Sequence, residues 1–224
     1  MKTWDYLQKY QQISSKQKPE PPPFKWAGAK NRMFNRYHST GFFPNSDPDI
    51  FIDMFAGSGC VGSWVKANYP NTTIVLNEAC SELIHMYQHM KKNNYQHFEK
   101  EYERHIKNGY AAFSTVEDRK KYYYDLRNKY AKAHHLMNPG EHAAALYYML
   151  QTGFNGIWQT SKNFNFRYAS PAGLMTWKHP GKLFELQKTR KWAEFIDTCV
   201  LMSGDFEATA AFFGKGNWFY ADPP

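Results

Sequence analysis

Apolar positions recur along the chain in two rhythms. Ile50-Phe51-Ile52-Asp53-Met54-Phe55 is apolar on both faces, the pattern of a strand buried inside a parallel sheet. Ala56-Gly57-Ser58-Gly59 supplies a turn, and Cys60 to Asn68 follows as a short helix halted by Pro70. Thr72-Thr73-Ile74-Val75-Leu76 is a second strand rich in β-branched residues. Ser81 can cap the next helix, in which Leu83, Ile84, Tyr87 and Met90 share one face. Strand, glycine turn, helix and strand form a βαβ unit, so the core is α/β. Val200–Met202 and Trp218–Tyr220 are two later strands.

Between these strands, residues 91–192 are mostly helical and polar, with Glu141 to Gln151 the clearest helix. Residues 1–23 are polar and end in Pro19-Glu20-Pro21-Pro22-Pro23, a flexible leader that stiffens into polyproline II. The pattern therefore separates a leader (1–23), an α/β part (24–90 with 193–224) and a helical insert (91–192). No internal repeat is present.

Charge adds a partner class. The 28 Lys+Arg against 20 Asp+Glu give a net +8, which favours a polyanion. Most of that excess lies between Trp158 and Trp192, where seven basic residues face only Glu185. Trp158, Phe164, Phe166, Tyr168 and Trp177 interleave them. The 18% aromatic content suits either core or stacking surface. Cys60, Cys80 and Cys199 are too few and too scattered for a disulfide framework or a zinc set. His85 and His89 stand at i, i+4 without a third ligand, so no metal is expected. Neither a signal peptide nor a membrane span is evident, and a cytoplasmic location is expected.

Gly57, Gly59 and Gly62 spell G-x-G-x-x-G between strand and helix, and Glu78 follows 19 residues beyond Gly59. Glycines let a ligand approach the backbone, a helix N-terminus offers free N–H groups, and a second-strand carboxylate can accept from ribose hydroxyls. That logic serves NAD and S-adenosylmethionine equally. Asp53 tilts the choice: a carboxylate there could face a cationic sulfonium ligand, whereas it would repel a pyrophosphate. Asp205, closing the third strand, could hold the amino group of a cofactor adenine.

Trp218-Phe219-Tyr220-Ala221-Asp222-Pro223-Pro224 runs an apolar strand into Asp-Pro-Pro. Successive prolines fix the backbone and leave carbonyls without a neighbouring N–H. Such a corner suits an exocyclic amine, whose lone pair is delocalised into its ring. Accepting its two N–H bonds, one at the Asp222 carboxylate and one at the Pro223 carbonyl, returns density to nitrogen for attack on a methyl group. Tyr220 reads as core.

These residues together resemble the Dam-type (D12 class) S-adenosylmethionine-dependent DNA adenine-N6 methyltransferases. Lys25-Trp26-Ala27-Gly28-Ala29-Lys30 is similar to their N-terminal Lys-Trp-Ala-Gly-Gly-Lys element, and Phe51 to Gly59 to their cofactor loop. Asn77-Glu78 through Leu83 to Tyr87 resembles the ribose segment. Gly153-Phe154-Asn155-Gly156-Ile157-Trp158 resembles the element opening the recognition hairpin, and Asp222-Pro223-Pro224 the start of Asp-Pro-Pro-Tyr. The resemblance implies a Rossmann-like methyltransferase sheet carrying a mostly helical DNA-recognition insert. It implies Trp26, Lys30, Glu78 and Asp222 at the S-adenosylmethionine site, where Asp53, Phe55, Gly57, Gly59 and Asp205 are also expected from the loop and strand ends. Asp222, Pro223 and Pro224 would be catalytic.

The expected partner is double-stranded DNA, bound by a monomer, with Asn155, Gln159, Lys162, Asn163 and Arg167 as candidates for its contacts. Ala29 stands for a glycine and Glu78 for the commoner aspartate. The chain ends at Pro224, before the aromatic residue and later strands of the family, so an incomplete sheet and weak or absent turnover are expected. Competing readings are methyl transfer to RNA or a protein amide, a non-catalytic S-adenosylmethionine- or DNA-binding remnant, and an NAD oxidoreductase.

Overall fold

A computed structural model describes residues 19–43, 46–164 and 167–223. Most of the leader, Phe166 of the aromatic run and Pro224 of the Asp-Pro-Pro corner lie outside them. Among the described residues no helix is long and apolar enough to cross a membrane.

The chain divides into two compact units, one comprising residues 1–21, 29–79 and 198–224, the other residues 22–28 and 80–197. In the first, a four-stranded parallel sheet is built from β1 (Ile50–Asp53), β2 (Thr73–Glu78), β3 (Cys199–Ser203) and β4 (Trp218–Tyr220), in the order β3-β2-β1-β4. All four coincide with the apolar runs of the sequence. Phe51, Ile52, Ile74, Val75 and Leu76 are essentially inaccessible, as a strand covered on both faces requires. The second strand starts later than the β-branched run and reaches Glu78. Thr72 stays outside it and donates its hydroxyl to the Pro48 carbonyl at 2.9 Å.

Helix α1 (Phe34–Ser39) precedes the sheet, and α2 (Cys60–Asn68) follows β1 with the expected bounds. Gly59 stands at its N-cap with φ +72°, a conformation that costs any side chain with a Cβ. The connection order matters more than the strand count. From β1 the chain steps to β2 and β3 on one side, then crosses back to β4 on the other. The reversal places a crevice at the carboxyl ends of β1 and β4, where open parallel sheets bind ligands.

The second unit is helical: α3 (Ser81–Met90), α4 (Tyr95–Ile106), α5 (Val116–Ala133), α6 (Pro139–Thr152), the short α7 (Pro180–Leu183) and α8 (Leu186–Asp197). Ser81 is not the cap of α3. Cys80 occupies that position, its carbonyl accepts from Leu83 and Ile84, and no side chain caps the helix. The expected face of Leu83, Ile84, Tyr87 and Met90 is buried. Helix α6 is the axis of the unit, with every residue from Ala143 to Thr152 buried. Asn138 caps it by accepting from the Glu141 N–H at 2.8 Å. Its own Tyr147 and Tyr148, with Tyr102, Tyr110, Tyr123, Tyr130 and Tyr168 elsewhere in the unit, are almost wholly inaccessible, which assigns much of the aromatic content to core.

Position within the sheet sets the cost of truncation. Ile52→Ala, on the central β1, is expected to lower unfolding free energy by about 3 kcal/mol, and Val200→Ala on the edge strand by less than about 1 kcal/mol. Urea titration of both variants checks the order, and equal losses would contradict a core centred on β1.

Candidate functional site at the strand ends

The carboxyl ends of the strands are stitched by one side chain. Asn77, buried at the end of β2, donates its amide to the carbonyls of Met54 and Gly204 at 3.1 and 3.2 Å. The Asn77 main-chain carbonyl accepts from the Ala56 N–H, the Met54 N–H donates to the Tyr220 carbonyl, and the Gly204 N–H donates to the Glu78 carbonyl. The loops after β1, β2, β3 and β4 are thereby tied into one frame.

Within it Asp53 closes β1 at 1% exposure. Its carboxylate accepts from the Phe55 N–H, while Oδ1 is buried with no hydrogen-bond partner. Burial, and then the charges of Asp222 and Glu78, push its pKa up to about 7 against the pull of Phe55 and Lys30. Glu78 Oε2 accepts from the Gly57 N–H at 2.9 Å, so the second-strand carboxylate holds the glycine loop itself. Gly57 and Gly59 both have positive φ, at +48° and +72°.

Lys30 Nζ lies 2.5 Å from Asp222 Oδ2, and this contact raises the lysine above its ordinary pKa. The Lys30 backbone N–H donates to Cys60 Sγ at 3.2 Å, and burial holds the Cys60 thiol up. Three carboxylates and one lysine therefore meet in the first unit.

Other expected residues are placed as follows. Phe55 packs on Phe206 at a centroid distance of 5.6 Å. Asp205 is exposed and caps the following turn by accepting from the Glu207 N–H at 3.0 Å. Tyr220 is buried, its hydroxyl 3.2 Å from that of Tyr37, in keeping with a core role.

Trp26 belongs to the second unit, where it lies 5.8 Å from Trp158 between ring centroids. The Ala27 N–H donates to the Gly156 carbonyl at 3.0 Å, so the Lys-Trp-Ala and Phe-Asn-Gly elements form one piece. Residues 153–172 turn back through two isolated antiparallel bridges, Gly153 with Ala172 and Thr160 with Tyr168. Asn155, Gln159, Lys162 and Asn163 are exposed along this segment.

Arg167, a candidate for contact with base edges, is ion-paired within the second unit. Its guanidinium is 3.0 Å from Glu82, a carboxylate 6% exposed on α3. The basic stretch is likewise partly spent, with Lys188 on Glu185 and Arg190 on Glu99. Among the described residues Lys162, Lys178, Lys182 and Lys191 form no ion pair. His85, His89 and His142 lie near one another, but among the described residues no group of three ligating side chains could hold a metal ion.

A sequence model of the D12 class N6 adenine-specific DNA methyltransferases matches residues 26–224. The chain is 30% identical over 208 residues to the type II methyltransferase M1.LlaDCHI of Lactococcus lactis, covering 90% of this chain and 65% of that protein. It is 23% identical to the type II methyltransferase M.MjaIII of Methanocaldococcus jannaschii, covering 92% and 69%. A DNA adenine methylase of Haemophilus influenzae is 26% identical, covering 94% and 66%. The chain thus spans about two thirds of the length of these relatives.

The Arg167–Glu82 pair gives a test that separates support from contact. Without the guanidinium, Glu82 is left buried and its already raised pKa rises further. A carboxyl with a raised folded pKa loses stability as pH climbs toward that value. Arg167→Ala should therefore cost more stability at pH 7.5 than at pH 5, read from paired urea curves. A pH-independent loss would mean the pair does not hold the segment.

Proposed function

This chain is a member of the D12 class of N6 adenine-specific DNA methyltransferases, and from that premise we propose that it transfers a methyl group from S-adenosylmethionine to the exocyclic N6 of adenine in double-stranded DNA. The single observation that carries the cofactor assignment is the buried, unmatched Asp53 oxygen at the chain reversal. A carboxylate in that condition is costly by itself and is relieved by a cationic ligand. Asp222 and Glu78 add to its burden, so the ligand must bring positive charge. An NAD pyrophosphate would aggravate the repulsion.

When bound, S-adenosylmethionine supplies an electrophilic methyl group on a sulfonium. The residues of the chain divide the remaining work. Asp53 faces the cationic part of the cofactor, and Glu78 lies where a ribose hydroxyl could be accepted. Gly57 and Gly59 bring main chain close to the ligand without side-chain obstruction. The Asp222 carboxylate and the Pro223 carbonyl accept the two N–H bonds of the target amine, raising its nucleophilicity and fixing its direction. The Lys30 ammonium now on Asp222 occupies the role of that donor and must yield when the amine arrives. Adenine in a duplex reaches such a corner only when flipped from the stack. Adenine-specific DNA modification, as in restriction–modification, is the biological setting this chemistry fits.

Binding of a cation should favour ionised Asp53 and expel its proton. Affinity for S-adenosylmethionine is therefore expected to rise between pH 6 and pH 8 and flatten above the Asp53 value of about 7. Calorimetry in buffers of different ionisation enthalpy should register proton release near pH 7. Asp53→Asn should weaken binding and abolish that release. Absence of any binding heat with the methyl donor or its demethylated product would remove the assignment.

Asp222→Ala should reduce methyl transfer by at least about 100-fold while weakening cofactor binding much less. Tritiated-methyl transfer offered in parallel to DNA, RNA and protein measures this, and label appearing only in RNA or protein would reassign the acceptor.

A further inference from the structure

The second unit holds a buried arginine, Arg119, outside the residues expected to contact DNA. Helix α4 ends in a π-helical turn, Lys107–Ala111, an irregularity of a kind often found at functional sites. Arg119, 1% exposed on α5, donates to the carbonyl of Tyr110 in that turn and to those of Phe113 and Ser114 just beyond it. A further bond, at 3.0 Å, reaches the Met175 carbonyl. Every one of these acceptors is a neutral carbonyl, and among the described residues no carboxylate pairs with Arg119. Its full positive charge is therefore held just beneath the segment containing Met175.

That segment is fastened at three successive points. Besides the Met175 carbonyl, the Tyr110 hydroxyl donates to the Thr176 carbonyl and accepts from the Lys178 N–H, both at 3.0 Å. So fastened, the segment presents Leu174 and Trp177 to solvent at 76% and 54% exposure. Trp177 stacks on Tyr110 at 5.7 Å, with the Arg119 guanidinium 4.8 Å from its ring centre. Beside them opens a cleft of about 370 Å³ whose lining includes Lys25, Phe154, Asn155, Leu174 and Lys178 and contains no acidic residue. Met175 and Asn155, the two non-glycine residues with positive φ among those described, at +52° and +51°, both line it. Backbone strain of this kind persists where surrounding contacts over-determine it, and it gathers at binding sites.

We propose that this cleft is a DNA-contact ledge, in which Lys25 and Lys178 take backbone phosphates and Leu174 and Trp177 receive the apolar face of an adjoining nucleotide. Arg119 is a positioning residue, fixing the ledge and biasing its potential toward anions. The ledge rests on the reading of this chain as DNA-binding and adds Leu174, Trp177 and Lys178 to it. Occupancy by a polyanion follows from charge complementarity: Lys25 and Lys178 line the cleft, Arg119 lies behind its Met175 carbonyl, and no carboxylate lines it.

The test is fluorescence anisotropy with a labelled duplex across a salt series. Trp177→Ala and Leu174→Ser should each weaken duplex binding by about tenfold, since base–aromatic or apolar stacking is lost. Lys178→Ala should weaken it and flatten the dependence of log affinity on log salt by about one unit. Lys132→Ala, an exposed lysine remote in sequence from the ledge, should do so less. Leu174 is so exposed that its substitution cannot unfold the unit, and unchanged calorimetry with S-adenosylmethionine checks each variant. Wild-type binding to duplex with all three ledge variants equal to it overturns the ledge and leaves the DNA reading standing. No wild-type binding at any salt overturns both.

Discussion

A carboxylate buried with one oxygen unmatched is an expensive thing to leave in a folded protein, and Asp53 is such a group. It stands at the end of the central strand, in line with two fully apolar neighbours, where a valine would stabilise the sheet more. Its own environment makes matters worse, because Asp222 and Glu78 both oppose its ionisation. The frame around it must therefore be rigid enough to prevent collapse onto water or rotation outward. Asn77 provides that rigidity by holding the carbonyls that follow β1 and β3 at once. The Glu78 bond to the Gly57 N–H fixes the glycine turn against the same frame. The organisation of the first unit is best understood as the cost of keeping that one anion in place.

The strands were legible because a run apolar on both faces has few homes outside a covered parallel sheet. The glycine turn was legible because positive φ at Gly57 and Gly59 needs the residue type that the sequence shows. Pairings across long separations were not. Lys30 and Asp222 are brought together by the return of the chain to β4, a topological event with no local trace. Arg167 and Glu82 meet in the same way, and nothing in the neighbourhood of Arg167 marks it as already partnered. The misplaced cap of α3 has a different cause. Which residue occupies an N-cap depends on where helical φ and ψ begin, and at the end of β2 they begin one residue after Cys80.

Counting charge by window carries the same blindness to pairing. The stretch from Trp158 to Trp192 holds the largest surplus, yet Arg167, Lys188 and Arg190 within it are committed to carboxylates. Arg119 lies outside that window and in sequence looks like one more charge on a polar helix. In the fold it is a buried cation satisfied only by carbonyls. Its effect on an approaching anion therefore exceeds that of a neutralised surface arginine.

The same distinction between sequence likeness and structural work applies to the N-terminal element. Lys25, Trp26 and Ala27 resemble a segment associated with cofactor contact, and in the fold they are also part of the second unit's packing. Gly156 explains the requirement. Its φ is +68°, and a Cβ there would stand 2.5 Å from the Lys25 carbonyl carbon. Glycine at this point thus admits the main chain of the earlier element, whose Ala27 N–H then reaches the Gly156 carbonyl. Trp26 follows onto Trp158, two residues beyond that glycine. The two elements are separated by more than half the chain, but each is the packing surface of the other. A substitution at Gly156 must therefore disturb the placement of Lys25 and Asn155 together, because one backbone contact positions both.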